Sequence, residues 1–393
     1  MEIQPNSDKP LLPILCYQTD FLSYLYNFLN FAIVADNNTQ KLINIQVFML
    51  SMAISSMTNE QMPFEKIKRE ILVKKEFQTS PKYGKIPTER TIQELLELGI
   101  INIDKPSGPT SHQVSAYVQK ILCINKSGHS GTLDPKVTGI LPVAIGRGTR
   151  VVQALLSAGK EYIAIMHLHK EVSPEEIKKT CAEFVGKIRQ LPPIKSNVKR
   201  QFRYRKIYYL DIIEINSKDV LFRVGTQAGT YIRKLIHDIG EKIGCGAHMA
   251  ELRRTKAGPF KEDTKTTLHD LADAYYFYKN NNNEEPLRKI IMPVESGVMH
   301  LAKVWVADTT VDTICHGASL KAPGISKAES DIQLGDLVAV MSLKNELIAL
   351  GTADMISKDM QKKNKGIAVR TNKVFMLPGT YPRIDKKPAE QGL

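Results

Sequence analysis

With 393 residues the chain is too long for one ordinary domain, and two or three are expected. At 42% hydrophobic and 24% charged it has the balance of a soluble protein with a sizeable core. The five cysteines (Cys16, Cys123, Cys181, Cys245, Cys315) are scattered and form no CxxC pair, which excludes a disulfide framework or a zinc ribbon and points to a reducing compartment. The formal charge is +13; residues 1–61 carry two lysines against five acids, so the remainder holds an excess of sixteen positive charges. Such an excess suits a partner covered in phosphates, although a basic protein without one fits the charge alone.

The first 61 residues differ from the rest. The run Leu42–Met57 has no charge but falls short of a comfortable membrane span. The segment before it lacks the layout of a signal peptide. A membrane anchor, an extra helical element, or sequence upstream of the true start all fit; the last is adopted, because composition and charge change at Met62. Residues 62–90 form a basic, extended segment. Thr91 with Glu94 predicts a capping box and a short helix with Ile92, Leu95 and Leu96 inward, stopped by Gly99. Ile100–Ile103 reads as a strand entering the loop DKPSGPTS, after which Ser111 caps a helix with Val114, Tyr117, Val118, Ile121 and Leu122 on its apolar face. A glycine-rich loop, Gly128–Gly139, follows. Tyr162–His169 alternates like a strand. Ser173, Pro174 and Glu176 start a helix with Ile177, Cys181, Phe184, Val185 and Ile188 on one face. Ile207–Ile215 and Val220–Gly225 read as paired strands, and Thr230–Gly244 as a helix. The Asn280–Glu285 run is expected to be a solvated domain edge. Short strands then fall at Ala302–Val306, Asp336–Met341, Glu346–Gly351 and Gly366–Arg370, the pattern of a small β-barrel.

The segment GHSGTLDPKVTG, Gly128–Gly139, carries the most chemistry. Its glycines permit tight turns and close approach to a ligand, and Pro135 restricts Asp134 to extended geometry. Taken alone, Asp134 is as well explained as a residue capping a backbone amide in a tight turn. Four further segments accompany it: Asp104–Ser111; Gly159–His169, with Tyr162 at the start of a strand; Ala228–Gly240, with Arg233 in the first turn of a helix; and Ala247–Phe260, with the basic pair Arg253 and Arg254.

These five segments, in this order and spacing, resemble the motif set of the TruB family of pseudouridine synthases. The resemblance covers about residues 62–385 and is closest to the dyskerin branch, the catalytic subunit of box H/ACA ribonucleoproteins, in its archaeal form. LPPIKSNVKR (Leu191–Arg200) and VDTICHGASLKAPGI (Val311–Ile325) add to it. The implied fold is α+β: a catalytic domain over residues 91–295 with a central mixed, mainly antiparallel sheet flanked by helices, and a small C-terminal β-barrel of the PUA type over 300–385. Residues 62–90 would pack on that barrel, and 386–393 form a tail.

The resemblance implies that Asp134 is the catalytic aspartate, Tyr162 the tyrosine that stacks on the flipped uracil, and Arg233 the arginine that pairs with the aspartate. It places Lys105 and Pro106 in a supporting loop, Leu252 in the base pocket and His129 in the catalytic loop, all assigned to substrate binding. It assigns His316, Gly317, Lys321 and Gly324 to the guide RNA. Pseudouridine formation breaks N1–C1′ and joins C5 to C1′ of the same ribose, so one carboxylate suffices where a glycosidase needs two. The C5 proton leaves by Tyr162, by Asp134 or through water. A buried carboxylate tends to take up a proton, and an arginine beside it opposes that. The chemistry calls for no metal or cofactor. Implied partners are a box H/ACA guide RNA, ribosomal or transfer RNA as target, and small protein subunits; no membrane is implied, and the implied location is cytoplasmic. A stand-alone synthase acting on the TΨC loop of transfer RNA, and a non-catalytic RNA-binding scaffold, are the alternatives.

Overall fold

The computed structural model describes residues 61–192 and 199–383, so the readings made for the first sixty residues, for the middle of LPPIKSNVKR and for the tail fall outside the described residues. In chain order the strands are β1 (Ile71–Val73), β2 (Gly99–Lys105), β3 (Ser127–His129), β4 (Thr138–Ile145), β5 (Lys160–Leu168), β6 (Gly186–Gln190), β7 (Arg203–Asn216), β8 (Asp219–Thr226), β9 (Ala247–Ala257), β10 (Met292–Pro293), β11 (Ala302–Val306), β12 (Leu320–Lys321), β13 (Ile325–Glu329), β14 (Leu337–Met341), β15 (Leu347–Ala353) and β16 (Ile367–Val374). The helices used below are α1 (Ile92–Glu97), α2 (Ser111–Leu122), α3 (Val152–Ser157), α4 (Pro174–Ala182), α5 (Ile232–Ile243), α6 (Leu268–Asn281) and α7 (Glu285–Ile290).

The first sheet runs β10-β2-β4-β9-β5-β8-β7-β6, with β3 beside β4. It is antiparallel except where β4 meets β9 through Thr138 opposite Arg253 and Gly139 opposite Arg254. The second, a curled sheet, runs β1-β13-β11-β14-β15-β16-β12. Its first strand comes from the N-terminal extension, whose Ile71–Val73 pairs antiparallel with Lys327–Glu329.

Three apolar clusters fix the catalytic half. One joins Leu133, Val137 and Tyr162 to Phe222 and to Ile232, Leu235, Ile236 and Ile239 of α5. A second seats α1 and α2 against β2 and β4. A third is shared between the sheets: Ile100, Ile140 and Ala144 of the first pack with Trp305, Met341 and Leu350 of the second and with Phe375, which follows β16. Beside it Glu295 accepts both guanidinium arms of Arg90 at 2.7 and 2.8 Å and the amide of Leu347 at 2.8 Å.

Several local expectations change. The capping box of α1 forms at Thr91 and Glu94, but Gly99 opens β2. Thr110, not Ser111, caps α2, accepting from the Gln113 amide at 3.1 Å, and Tyr117 is exposed. Helix α4 ends at Ala182, so Val185 is exposed and Ile188 belongs to β6. The left-handed Gly186 (φ 107°) breaks a sequence period that would have carried the helix onward. The Asn280–Glu285 run is no domain edge: it links α6 to α7, after which Met292–Pro293 returns to pair with β2. Strand β5 lies inside the sheet with both faces covered, so it is buried along most of its length and does not alternate.

Candidate active site

Residues 130–137 form the loop between β3 and β4. Leu133 and Val137 anchor it in the apolar cluster below. The Ser111 hydroxyl, freed from capping, accepts from the Leu133 amide at 2.8 Å and donates to the Leu133 carbonyl at 3.2 Å. The Lys105 ammonium lies under the loop and donates to the carbonyls of Pro106, Pro135 and Val137 at 2.8, 2.9 and 2.8 Å. Gly139 closes the loop at φ 106°, where a Cβ would come within 2.2 Å of the Arg254 carbonyl; only glycine fits. Asp134 is thus presented at the tip of a backbone pinned on both sides.

The Asp134 carboxylate meets Arg233 of α5, whose Nη2 donates to Oδ2 at 2.5 Å across 99 residues of sequence. Both side chains keep more than half their exposure, 53% and 55%. The carboxylate is therefore held at the surface. Tyr162, 9% exposed, sits in the cluster that anchors the loop and receives α5. Leu252 of β9, half-buried against the same cluster, pairs with Ala164 two residues along β5.

The remaining residues divide. Lys105 is fully buried, and burial together with Arg254 pushes its ammonium down to about 8, against the pull of Asp134. Its donors are taken by backbone carbonyls, so it supports the loop from beneath. Pro106 is exposed beside it. His129 is half-buried in β3, edge-on to His112 with ring centroids 4.8 Å apart; burial, His112 and Arg254 push it down to about 4. His316, Gly317 and Lys321 are exposed around β12 of the second sheet. Gly324 is half-buried, and a Cβ there would lie 2.6 Å from Thr310 Oγ1, a packing reason for glycine.

The sequence reading missed Ser111 as a loop anchor, His112, and the division of labour between Arg253 and Arg254. Arg253 binds Asp104 through both arms at 3.0 and 2.9 Å and also Glu262 at 2.8 Å. Arg254, 1% exposed, donates to the Ile140 and Gly131 carbonyls at 2.7 and 3.2 Å and stands opposite Tyr162 across the β5–β9 ladder. Adjacency of two arginines on one strand was the available signal, since neighbours on a strand point to opposite faces. Among the described residues no group of three or more His, Cys, Asp or Glu is placed to hold a metal ion.

Sequence families match nearly the whole described chain. Residues 119–232 match the TruB family pseudouridylate synthase N-terminal domain, 233–299 the tRNA pseudouridylate synthase B C-terminal domain, 302–375 the PUA domain and 59–115 the DKCLD (NUC011) domain. A Methanopyrus kandleri protein is 55% identical over 83% of this chain and 96% of its own length. A Thermococcus onnurineus protein is 58% identical over 81% and 96%. Both are named "Probable tRNA pseudouridine synthase B". Among solved structures, a chain of a Cbf5-Nop10-Gar1 complex is similar at TM-score 0.80 and 55% identity, covering 82% of this chain and 99% of that one. A chain of an H/ACA RNP bound to a substrate RNA containing 2′-deoxyuridine gives TM-score 0.78 and 53% identity over 82% and 99%. Relatives this similar over more than four-fifths of the chain, on a fold whose two halves match synthase and PUA families in turn, establish that the chain belongs to the TruB/dyskerin family of pseudouridine synthases.

Proposed function

We propose that this pseudouridine synthase is the catalytic subunit of a guide-RNA particle of the H/ACA kind, and that Asp134 is its catalytic carboxylate. The observation that carries the catalytic assignment is the Asp134–Arg233 pair at 2.5 Å, set on a pinned loop whose flanks share one core with Tyr162. The target uridine leaves the RNA stack to enter the cleft, and the Tyr162 ring offers it an apolar face. As RNA covers the site and water leaves, the attraction between Arg233 and Asp134 strengthens, holding the carboxylate aimed. The carboxylate then acts on the ribose, as nucleophile at C1′ or as base, while N1–C1′ breaks. The detached uracil turns within the closed site and C5 bonds to C1′, displacing the carboxylate from C1′ on the nucleophilic route or taking back the ribose proton it held on the basic one. Loss of the C5 proton and gain of one at N1 complete pseudouridine.

Guide dependence is supported by likeness to the Cbf5-Nop10-Gar1 and substrate-bound H/ACA structures. It brings with it a guide RNA held at the second sheet near His316, Gly317, Lys321 and Gly324, small protein subunits, ribosomal RNA as target and a cytoplasmic location. The names of the curated relatives favour a second reading, unguided action on transfer RNA. One experiment separates them. The full chain is incubated with uridine-labelled transfer RNA alone, and separately with a guide, its target and the small subunits, and pseudouridine is scored. Product only in the guided reaction supports the first reading; product from bare transfer RNA supports the second. Asp134→Asn should bind RNA with near-normal affinity and give no product, and product at the normal rate would show the carboxylate to be misassigned.

A further inference from the structure

Lys160 opens β5 two residues before Tyr162, and side chains at i and i+2 of a strand share a face. It is 5% exposed, and no carboxylate pairs with it among the described residues. A packing role alone would be served by an apolar side chain of similar length, because a buried cation without an anionic partner is strongly penalised. Three carbonyls offset that penalty. The ammonium donates to those of Leu155, Leu156 and Ala158 at 2.9, 3.0 and 2.7 Å, which uses all three of its donors. Leu155 and Leu156 lie in the last turn of α3 and Ala158 directly follows it, where helix carbonyls lack amide partners and the helix dipole favours a cation. Burial and the Arg254 guanidinium push the ammonium down to about 7, a direction the carbonyl acceptors oppose.

Both partners in this staple reach the catalytic loop. A methyl group built on Gly131 would stand 3.7 Å from Leu156 Cδ2 and 4.0 Å from Lys160 Cε, so Leu156 and the Lys160 stem back the loop at that point. The Gly131 carbonyl accepts from Arg254 at 3.2 Å, which holds the same residue from another direction. Gly131 lies three residues before Asp134. On the other side of Asp134, Lys105 grips the carbonyls of Pro135 and Val137. The loop thus has a buried lysine at each end, one binding it directly and one acting through α3. The rest of α3 has its own anchorage, since Ala154 and Leu155 belong to the apolar cluster shared by the two sheets. Loss of the Lys160 ammonium would free the last turn of α3 and leave the helix seated.

We infer that Lys160 is a positioning residue for pseudouridine formation: it fastens the last turn of α3 to the start of β5, so that Leu156 and its own stem brace Gly131 and keep Asp134 in register with Tyr162. This rests on the catalytic reading of Asp134 above and deepens it. Lys160 touches no reacting atom; it acts through the backbone that carries the carboxylate. A carboxylate on a loop braced at one end only would sample orientations away from the ribose, and its reaction would slow without any loss of RNA contacts.

The test compares wild type with Lys160→Met in the full chain, under the conditions that give product. Methionine keeps the length of the stem and removes the ammonium. Three quantities are read: the single-turnover rate at saturating RNA, the RNA concentration that gives half that rate, and amide hydrogen exchange by mass spectrometry. The rate should fall about tenfold or more, with the half-saturating RNA concentration changed less than about threefold. Exchange over residues 130–137 should quicken while that of α5 stays as in wild type. An undiminished rate, or a slowed rate with loop exchange unchanged, would overturn the inference. So would quickened exchange throughout the chain, which would mark Lys160 as a residue of general stability. Should Lys160→Met fail to fold, Leu156→Ala decides: it removes the other half of the brace, and should slow the reaction and quicken loop exchange with RNA affinity near normal. An unchanged rate in that variant, or a loss of RNA affinity alone, would refute the brace. An inactive wild type, or an active Asp134→Asn, would instead defeat the functional reading beneath it.

Discussion

Ser111→Ala isolates the tie between α2 and the catalytic loop. The hydroxyl is fully buried and serves both polar groups of Leu133, accepting at 2.8 Å and donating at 3.2 Å. Alanine keeps the helix, which Thr110 caps, so the change falls on the loop alone. The Leu133 amide is left buried without an acceptor, a loss of about 1–3 kcal/mol. Taking about 2 kcal/mol and a urea m value of about 3 kcal/mol/M, the midpoint should fall by roughly 0.7 M. Because Leu133 precedes Asp134, the loosened loop should lower kcat by about tenfold or more while RNA affinity stays near normal, since misplacement of a reacting group by an ångström is expensive. Urea unfolding followed by fluorescence, beside single-turnover pseudouridine formation, measures both. A midpoint within 0.2 M of wild type, together with an unchanged rate, would refute the idea that this hydroxyl fixes the loop, a threshold set at about a third of the expected shift.

Other consequences are as direct. Gly139→Ala forces a Cβ to within 2.2 Å of the Arg254 carbonyl at φ 106° and should destabilise by about 3 kcal/mol or more, read as a drop in Tm. Arg90→Met strands the Glu295 carboxylate between the sheets and should lower stability by about 3–5 kcal/mol in chemical denaturation; a loss under about 1 kcal/mol would show the pair to be unimportant. Burial holds the His300 imidazole down at about 4, so the unfolded chain binds the extra proton between about pH 6.5 and 4. Stability should fall on acidification through that range, and His300→Gln should flatten the fall in urea titrations at pH 7 and 5. Arg233→Lys keeps a charge but not the fork, and should depress kcat at least tenfold with little effect on binding, as kinetics at saturating RNA would tell.

Much of this was legible because local signals and fold agreed. Thr91 with Glu94 and Ser173 before Pro174 name their helix starts in sequence, and both caps form. The pairing of residues around 207–215 with those around 220–225 follows from alternation joined by a short turn. The failures arose where tertiary demands overrode local ones. Phe184, Val185 and Ile188 continue a helical period, yet the edge of β7 recruits Gly186–Gln190 as a strand. Ser111 looks like a cap until Thr110 takes that role and releases its hydroxyl. Asp134, Tyr162 and Arg233 are too far apart in sequence for spacing to unite them; the ordered motif set did so. Nothing in the sequence marks the register shift between Glu161 and Tyr162 on the β5–β9 ladder, because it exists only relative to β9, and so the pairing of Tyr162 with Arg254 could not be read in advance.

The apolar cluster shared by the two sheets bears on how this architecture can be taken apart. A chain ending near residue 300 would expose Ile100, Ile140 and Ala144 to water, and an isolated PUA half would expose Trp305, Met341, Leu350 and Phe375. Each fragment would carry a greasy face inviting aggregation. The synthase and PUA matches therefore mark evolutionary segments, not detachable modules, and transplanting this PUA half onto another enzyme would require rebuilding the face it offers.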